Sequence, residues 1–294
     1  MGPVIPLTLA VLLVPVAALL AVLISLNRVV SVLAGGDLSV LRVTTTRLLW
    51  ARLGGLVVGL AASWLVLSWD GLGRGPMLAA PALGIGLLLG TLAGELAAPR
   101  PHGPIRGASL EIRRARDYLP GFSARLAGAL SLVTVLLLSA TSVTASADDL
   151  GRAGRELAMT SPDGSVRSVT GPWPGWFYAW PMLAVLATAF LLSALVVHRV
   201  VQRGRPGLDA AARAVDDVQR AHTARVVTAA YGLCVALPLT GVVVFAAEAL
   251  FRQSDFAGWA APAAFALLGI AVFAAGSAIW YLAELLSRPM IRAS

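Results

Sequence analysis

Seven apolar segments, each about as long as a membrane-spanning helix, dominate this chain of 294 residues. A helix needs about 20 predominantly apolar residues to cross the hydrocarbon core of a bilayer. Because a helix satisfies its own backbone hydrogen-bonding groups, it is a stable way to cross lipid. The predicted spans are residues 4–26, 48–69, 77–98, 126–146, 177–197, 226–247 and 259–282. The sequence therefore predicts an all-α, polytopic transmembrane helix bundle with seven spans, forming a single integral membrane domain over residues 1–294.

The composition agrees with a lipid environment. Hydrophobic residues make up 58% of the chain and charged residues only 13%, whereas soluble domains carry about 25% charged residues. We therefore expect the lipid bilayer to be the main partner. All 23 basic residues are arginine, and with the abundance of Ala, Gly, Leu and Val this bias is typical of a GC-rich bacterial genome.

The arginine content of successive loops alternates between high on one side of the predicted bundle and low on the other. The segments that follow spans one, three, five and seven hold 17 of the 23 arginines, and Arg52, one turn inside the second span, belongs to the same side. Since cytoplasmic loops of membrane proteins are enriched in arginine and lysine, the N-terminus is expected outside and the C-terminus in the cytoplasm of a bacterial plasma membrane. This distribution also explains the net charge of +8, so no nucleic-acid partner is predicted.

Tryptophans cluster at the predicted outer ends of the spans. Trp69, Trp173, Trp176, Trp180 and Trp259 all lie there. Amphipathic rings are enriched at the interface between membrane and water. We interpret the cluster as an interfacial belt in preference to an aromatic ligand cage.

A short motif recurs when the spans are taken in pairs. The sequence Pro-Met-Leu-Ala begins at Pro76 and again at Pro181, and an Arg-Pro pair follows at the same distance, at Arg100 and Arg205. One helix followed by three tandem two-helix hairpins is one interpretation, in which any site would lie near a repeat interface. Chance similarity between Ala- and Leu-rich spans is the alternative, and both stay open.

Three segments between spans have structure of their own. The loop 147–174 is predicted to be extracytoplasmic, with a turn at Asp163 and Gly164 between short extended runs. Segment 208–224 places Asp216 and Arg220 one turn apart, as expected for an amphipathic helix lying on the membrane or running into the sixth span. Segment 109–119 is predicted to be a shorter counterpart on the same cytoplasmic side.

Glycines recur at four-residue spacing in the second and third spans. Such spacing lets helix backbones approach closely in lipid. It predicts either a tight hairpin between these spans or a face for self-association into a homo-oligomer. The candidate packing residues are Gly55, Gly59, Gly86, Gly90 and Gly94.

Four ionisable residues lie near the ends of the spans. Glu95 and Glu284 precede Arg-Pro pairs, Glu248 lies near an outer end, and His198 lies at the inner end of the fifth span. Ion pairs with neighbouring arginines are favoured over a substrate or proton role for the two inner carboxylates. A carboxylate at mid-membrane, which marks many ion-coupled carriers, is not present in the sequence.

No motif predicts catalysis, a metal or a cofactor. The histidines His102, His198 and His222 are scattered without metal-ligand spacing. No phosphate-binding loop or nucleophile elbow is found, and the single Cys234 excludes an intrachain disulfide. We therefore do not expect an enzyme.

Two hypotheses about function remain. The chain is either a transport-associated membrane component, permease-like or a membrane subunit, or a non-transporting scaffold or sensor. The scaffold would bind a cytosolic or membrane partner protein through its arginine-rich inner loops. A polar cavity at mid-depth would favour transport, and a bundle packed solid would favour the scaffold.

Overall fold

The computed structural model describes residues 39–69, 72–97, 114–161, 163–204 and 210–286, most of which are helical. Within these ranges six helices are long and apolar enough to cross a membrane, as expected of a helical membrane protein. The helices are α1 Ser39–Trp69, α2 Arg74–Leu96, α3 Gly121–Val143, α4 Trp176–Gln202, α5 Ala210–Arg252 and α6 Ala260–Leu286. Each of the predicted spans two to seven overlaps one of these helices, although α1 and α5 begin well before the predicted spans 48–69 and 226–247. The predicted span 4–26 lies outside the described residues, so the count of seven stays a prediction.

The bundle has two distinct ends. Tyr178, at the start of α4, donates a hydrogen bond to the carbonyl of Leu72 in the α1–α2 turn. Trp173, just before α4, donates to Thr141 at the end of α3. We call this the hairpin end, because a β-hairpin covers it. The opposite end, where α3 and α5 begin and α2, α4 and α6 finish, is called the arginine-rich end.

The three consecutive helix pairs pack differently. The pairs α1–α2 and α5–α6 contact each other extensively, whereas α3 and α4 each contact α5 more than they contact one another. Helices α2, α4 and α5 form the centre of the bundle. The middle pair, α3 and α4, does not pack as a tight hairpin. Three tandem hairpins therefore remain a hypothesis.

Glycine determines how closely α1 and α2 approach. A Cβ atom added to Gly55 would lie 2.6 Å from the Cα atom of Gly90, and one added to Gly59 would lie 2.7 Å from the carbonyl oxygen of Leu83. No side chain fits at such distances, so the backbones are in direct contact. Ser63 adds a hydrogen bond of 2.7 Å to the carbonyl of Ala79 on α2.

Apolar side chains fill the interior of the described bundle. Leu88, Leu130, Leu138, Met182 and Leu239 are each fully buried and belong to one continuous cluster drawn from α2, α3, α4 and α5. Dispersion contacts of this density are the main force that holds helices together in lipid. The centre of the described bundle is therefore a packed apolar core.

A small β-hairpin is the principal non-helical element. Strands β1 Leu157–Thr160 and β2 Arg167–Thr170 pair antiparallel, around the turn expected from Asp163 and Gly164. A second apolar cluster, which includes Leu157, Trp173 and Leu250, joins the hairpin to α5 and α6. The hairpin is thus packed onto the helices.

Candidate functional site: the arginine-rich end

Four charged side chains form a buried chain of ion pairs at the arginine-rich end. Glu95 Oε2 on α2 lies 3.4 Å from Arg203 Nη1, just beyond α4. Arg203 Nη2 lies 2.7 Å from Asp216 Oδ1 on α5, and Asp216 Oδ2 lies 2.8 Å from Arg220 Nε. The Glu95 and Asp216 side chains are 1% and 3% exposed. The chain of ion pairs therefore ties α2, α4 and α5 together where little water reaches.

Arg220, on α5, also caps the C-terminal end of α4. Its Nη1 donates to the carbonyls of Val200 and Val201, at 2.7 and 3.3 Å, and its Nη2 donates to the carbonyl of Arg203 at 2.8 Å. The last carbonyls of a helix have no partner within that helix and carry the negative end of its dipole. The fully buried guanidinium of Arg220 therefore donates hydrogen bonds both to the carbonyls at the end of α4 and to Asp216.

A second polar contact at this end joins α1 to α5. Arg52 Nη2 donates to Thr223 Oγ1 at 3.0 Å. Arg52 and His222 are each 8% exposed, and Arg52 interacts electrostatically with both Glu95 and His222. Arg52 Nε, Glu95 Oε1 and His222 Nδ1 are buried and have no hydrogen-bond partner among the described residues.

Further contacts hold the rim of the arginine-rich end. Tyr118 donates to Asp217 Oδ1 at 3.2 Å, which joins the segment before α3 to α5. Tyr281 donates to the carbonyl of Ser123 at 2.9 Å, and Trp280 Nε1 lies 3.2 Å from Ser123 Oγ, so α6 is tied to α3. Exposed arginines surround this rim: Arg47, Arg114, Arg116, Arg125 and Arg199.

An apolar crevice opens between the two tight helix pairs. It is lined by Leu56 of α1, Gly84 and Leu87 of α2, Leu233 of α5 and Leu285 of α6. The crevice encloses little space, is partly open to the surroundings and is lined almost entirely by apolar atoms.

The hairpin end has a separate electrostatic site. Asp148 Oδ2 accepts a hydrogen bond from Arg152 Nε at 2.7 Å and another from Arg155, and Asp148 Oδ1 accepts one from the backbone of Arg152 at 2.8 Å. Desolvation raises the pKa of Asp148, but these hydrogen bonds and the positive charge outweigh it and lower that pKa to about 2. Arg155 and Arg74 both lie over the ring of Phe177.

Buried hydrogen bonds complete the attachment of the hairpin. Trp173 Nε1 donates to the carbonyl of Thr141 at 2.8 Å. The amide of Gln253, at the end of α5, donates to Thr170 Oγ1 at 2.7 Å, and Gln253 is fully buried. The hairpin is therefore held by neutral hydrogen bonds to α3 and α5 as well as by apolar packing.

The structure brings the five candidate packing glycines together. Gly55 and Gly59 of α1 face Gly86 and Gly90 of α2, and Gly94 faces Leu48 and Ala51 on α1. Since α1 covers this surface, it is not available as a face for self-association.

The candidate ionisable residues are dispersed. Glu95 joins the buried ion pairs, as the expected pairing with arginine requires. Glu284 is half-buried on α6 at the same end, and His198 is exposed on α4. Glu248 lies far from them at the hairpin end, where it pairs with Arg252 on the exposed surface of α5. Within the described ranges no group of three His, Cys, Asp or Glu side chains is placed to hold a metal.

Segment 208–224 was predicted to lie on the membrane or to run into the sixth span, and from Ala210 onward it is continuous with α5. The sequence did not predict that Asp216 and Arg220 would be 2% and 0% exposed, which follows from their contacts with Arg203 and the end of α4. Two other expectations need correction. The described part of segment 109–119 contains a three-residue 3₁₀ turn at Ala115–Asp117 instead of an amphipathic helix. Trp173, expected in the interfacial belt, is 5% exposed and buried beneath the hairpin.

No protein-family model, curated protein or solved structure matches this chain. The function proposed below therefore depends on the residues and their geometry alone.

Proposed function

We propose that this protein is a non-transporting membrane scaffold whose arginine-rich end binds an acidic cytosolic partner. The observation that carries this proposal is the packed apolar interior. Leu88, Leu138, Met182, Val235 and Leu239 are fully buried inside the described bundle, whereas a transporter of polar solutes needs a binding site near the middle of its helices. A bundle without a polar cavity is the arrangement that favours a scaffold over a permease.

The ends of the helices support the same proposal. Alternating access requires groups of helices to rock against one another around a central site. Arg203 and Arg220 tie α2, α4 and α5 to one another through buried ion pairs, and breaking a buried pair costs about 3–5 kcal/mol. These ion pairs hold α2, α4 and α5 in a fixed arrangement, as expected of a protein whose arginine-rich end presents a rigid binding surface.

The partner is inferred from the exposed arginines. Arg114, Arg116 and Arg125 lie close together in sequence before and at the start of α3, and all are exposed. Guanidinium groups bind carboxylates in a bidentate manner, whereas lysine presents only a point charge. By the positive-inside rule this end faces the cytoplasm, so an acidic cytosolic protein is the partner proposed. Binding of lipid phosphates is the competing role for these arginines.

Replacement of the three arginines by lysine tests this proposal. The variant Arg114→Lys/Arg116→Lys/Arg125→Lys keeps the positive charge that orients the protein and attracts lipid phosphates, but it loses bidentate carboxylate binding. The protein is purified from its native membrane with quantitative mass spectrometry of co-purified proteins. We expect one co-purified protein to be recovered about tenfold less with the lysine variant than with wild type. This corresponds to a loss of about 1.4 kcal/mol of binding free energy.

The matched control changes an arginine at the other end. Arg167→Lys alters an exposed arginine of the hairpin and should leave recovery of the partner unchanged. Equal recovery of every co-purified protein from wild type and the lysine variant would contradict the proposed binding role.

A further inference from the structure

The turn of the β-hairpin contains a residue pair that is prone to a spontaneous chemical change. Asp163 is followed directly by Gly164, and both are exposed. Because glycine has no side chain, nothing shields its backbone nitrogen from the preceding carboxyl group. The same pair occurs at Asp70, which lies outside the described residues. The hairpin turn is therefore the described place where the backbone itself can react.

The reaction is balanced by water alone. The nitrogen of Gly164 forms a bond to Cγ of Asp163, while the amide hydrogen and the hydroxyl of the protonated carboxyl leave as one water molecule. The product is a five-membered succinimide ring, which a solvent water then opens at one of its two carbonyls. Opening at Cγ restores aspartate, whereas opening at the main-chain carbonyl gives isoaspartate, in which the backbone runs through the side chain.

Hydrogen bonds in the folded turn keep the Asp163 carboxyl ionised. The Ser161 hydroxyl donates to Oδ1, and Ser165 donates to Oδ1 from its backbone at 3.2 Å and to Oδ2 from its hydroxyl at 2.7 Å. The bonds from Ser161 and Ser165 lower the pKa of Asp163 to about 2. At neutral pH the protonated carboxyl is therefore on the order of fiftyfold rarer than at an ordinary aspartate. The first step of the reaction needs that protonated form.

The attacking nitrogen is held as well. The Gly164 N–H donates to the carbonyl of Ser161 at 2.9 Å, and the Ser161 N–H donates to the carbonyl of Val166 at 2.8 Å. Gly164 has a φ of 74°, a left-handed conformation that glycine adopts without strain. Since the Gly164 nitrogen must give up its proton to close the ring, its hydrogen bond to Ser161 has to break first. Ring closure therefore requires the turn to open.

We propose that Asp163–Gly164 is a site of succinimide and isoaspartate formation, and that Ser161 and Ser165 suppress the reaction while the hairpin is closed. Isoaspartate adds one carbon atom to the backbone of the turn and so displaces the hydrogen bonds that close it. The modification would loosen the hairpin. It concerns the hairpin end alone and does not depend on the partner proposed for the arginine-rich end.

Uptake of oxygen-18 from water measures the reaction. Each cycle of ring closure and opening replaces one carboxyl oxygen by an oxygen from solvent. The full-length protein is incubated in detergent and oxygen-18 water at neutral pH and is then digested with trypsin in ordinary water. The tryptic peptide 156–167 contains Asp163 as its sole aspartate, so its gain in mass reports this site. We expect uptake at least about tenfold faster after unfolding in guanidinium chloride than in the folded protein.

Two variants separate the hydrogen bonds from the chemistry. Ser165→Ala removes the hydroxyl donor to Oδ2, and it should accelerate uptake in the folded protein about threefold to tenfold, as expected for the loss of one exposed charge-assisted hydrogen bond. It should have no effect after unfolding. Ser168→Ala, in strand β2 outside the turn, is the matched control and should resemble wild type. Asp163→Glu lengthens the side chain by one methylene, which disfavours ring closure, and should abolish uptake.

Three outcomes would overturn the proposal. A lack of uptake by the unfolded wild-type protein would show that Asp163–Gly164 is not a modification site. Equal rates in the folded and unfolded protein would show that the closed turn gives no protection. A folded Ser165→Ala variant that reacts no faster than wild type, or one whose acceleration persists after unfolding, would contradict the protective role of the serine hydrogen bonds.

Discussion

The two ends of this bundle are held together by different forces, and each end buries one large polar side chain completely. At the arginine-rich end it is Arg220, which bridges Asp216 and the last carbonyls of α4. At the hairpin end it is Gln253, which binds the β-hairpin through neutral hydrogen bonds. A buried charge that loses its partner is far more costly than a neutral group that does. The arginine-rich end should therefore be the stiffer end, and the hairpin end the one that opens locally.

Removal of Arg220 should have the largest effect. Arg220→Ala leaves Asp216 with only part of its charge balanced and removes three hydrogen bonds to α4, so we expect a loss of about 3–5 kcal/mol in unfolding free energy. Reversible unfolding in mixed micelles measures the change. Arg199→Ala, at an exposed arginine of α4, should change stability by less than about 0.5 kcal/mol. Similar losses in both variants would show that the buried position of Arg220 confers no special stability.

Two neighbouring glycines test the middle of the bundle, between the two ends. A Cβ atom at Gly55 would lie 2.6 Å from Gly90 Cα, whereas one at Gly54 meets no atom within 4 Å. Gly55→Ala should destabilise by about 1–3 kcal/mol through overpacking. Gly54→Ala should be neutral or stabilise by up to about 1 kcal/mol through its helix propensity. Equal stability of the two variants in thermal unfolding would mean that α1 and α2 are not in backbone contact.

Trp173 tests how the hairpin is attached. Trp173→Phe keeps most of the buried ring but loses the hydrogen bond to Thr141, with an expected cost of about 1 kcal/mol. The loss should appear as faster hydrogen exchange in the hairpin, with the exchange of α2 and α5 unchanged. Trp176→Phe alters a ring that is 59% exposed and should change neither the exchange of the hairpin nor that of the helices. An acceleration spread over the whole bundle would contradict local opening.

Acid should loosen the base of the hairpin. The pKa of Asp148 is lowered to about 2 in the folded protein, against about 3.9 in an unfolded chain. Its stabilising contribution is therefore present above pH about 3.9 and is lost as the pH falls through about 2. Pepsin cleavage within residues 147–174 should accelerate progressively as the pH falls from about 4 to about 2 and change little below that. Asp148→Asn should be cleaved rapidly across that range, and Asp149→Asn, at an exposed residue, should resemble wild type.

The sequence predicted the helices far better than the site. Lipid demands long apolar helices, and a pattern confined to about 20 consecutive residues can be seen directly. The glycine spacing likewise indicated the α1–α2 contact, and the Asp216–Arg220 pair follows from helical periodicity.

Contacts between distant segments left no such pattern. Glu95 and Arg203 are 108 positions apart, and no local signal shows that they meet. The same reason explains why the burial of Asp216 and Arg220 was not predicted and why Trp173 was expected in the interfacial belt. Burial depends on which neighbours a helix acquires, and in an apolar chain composition does not distinguish lipid neighbours from protein neighbours.

The native Cys234 provides the most direct measurement of the packed interior on which the scaffold proposal depends. Its thiol is fully buried between α5 and α2, against Gly84. In sealed membranes, a charged, membrane-impermeant thiol reagent applied from both sides should leave Cys234 unmodified until the protein is denatured. Ser165→Cys in a Cys234→Ala background, with its thiol in the exposed hairpin turn, should react at once. Rapid modification of Cys234 in the folded protein would reveal an aqueous path through the bundle and would contradict a non-transporting scaffold.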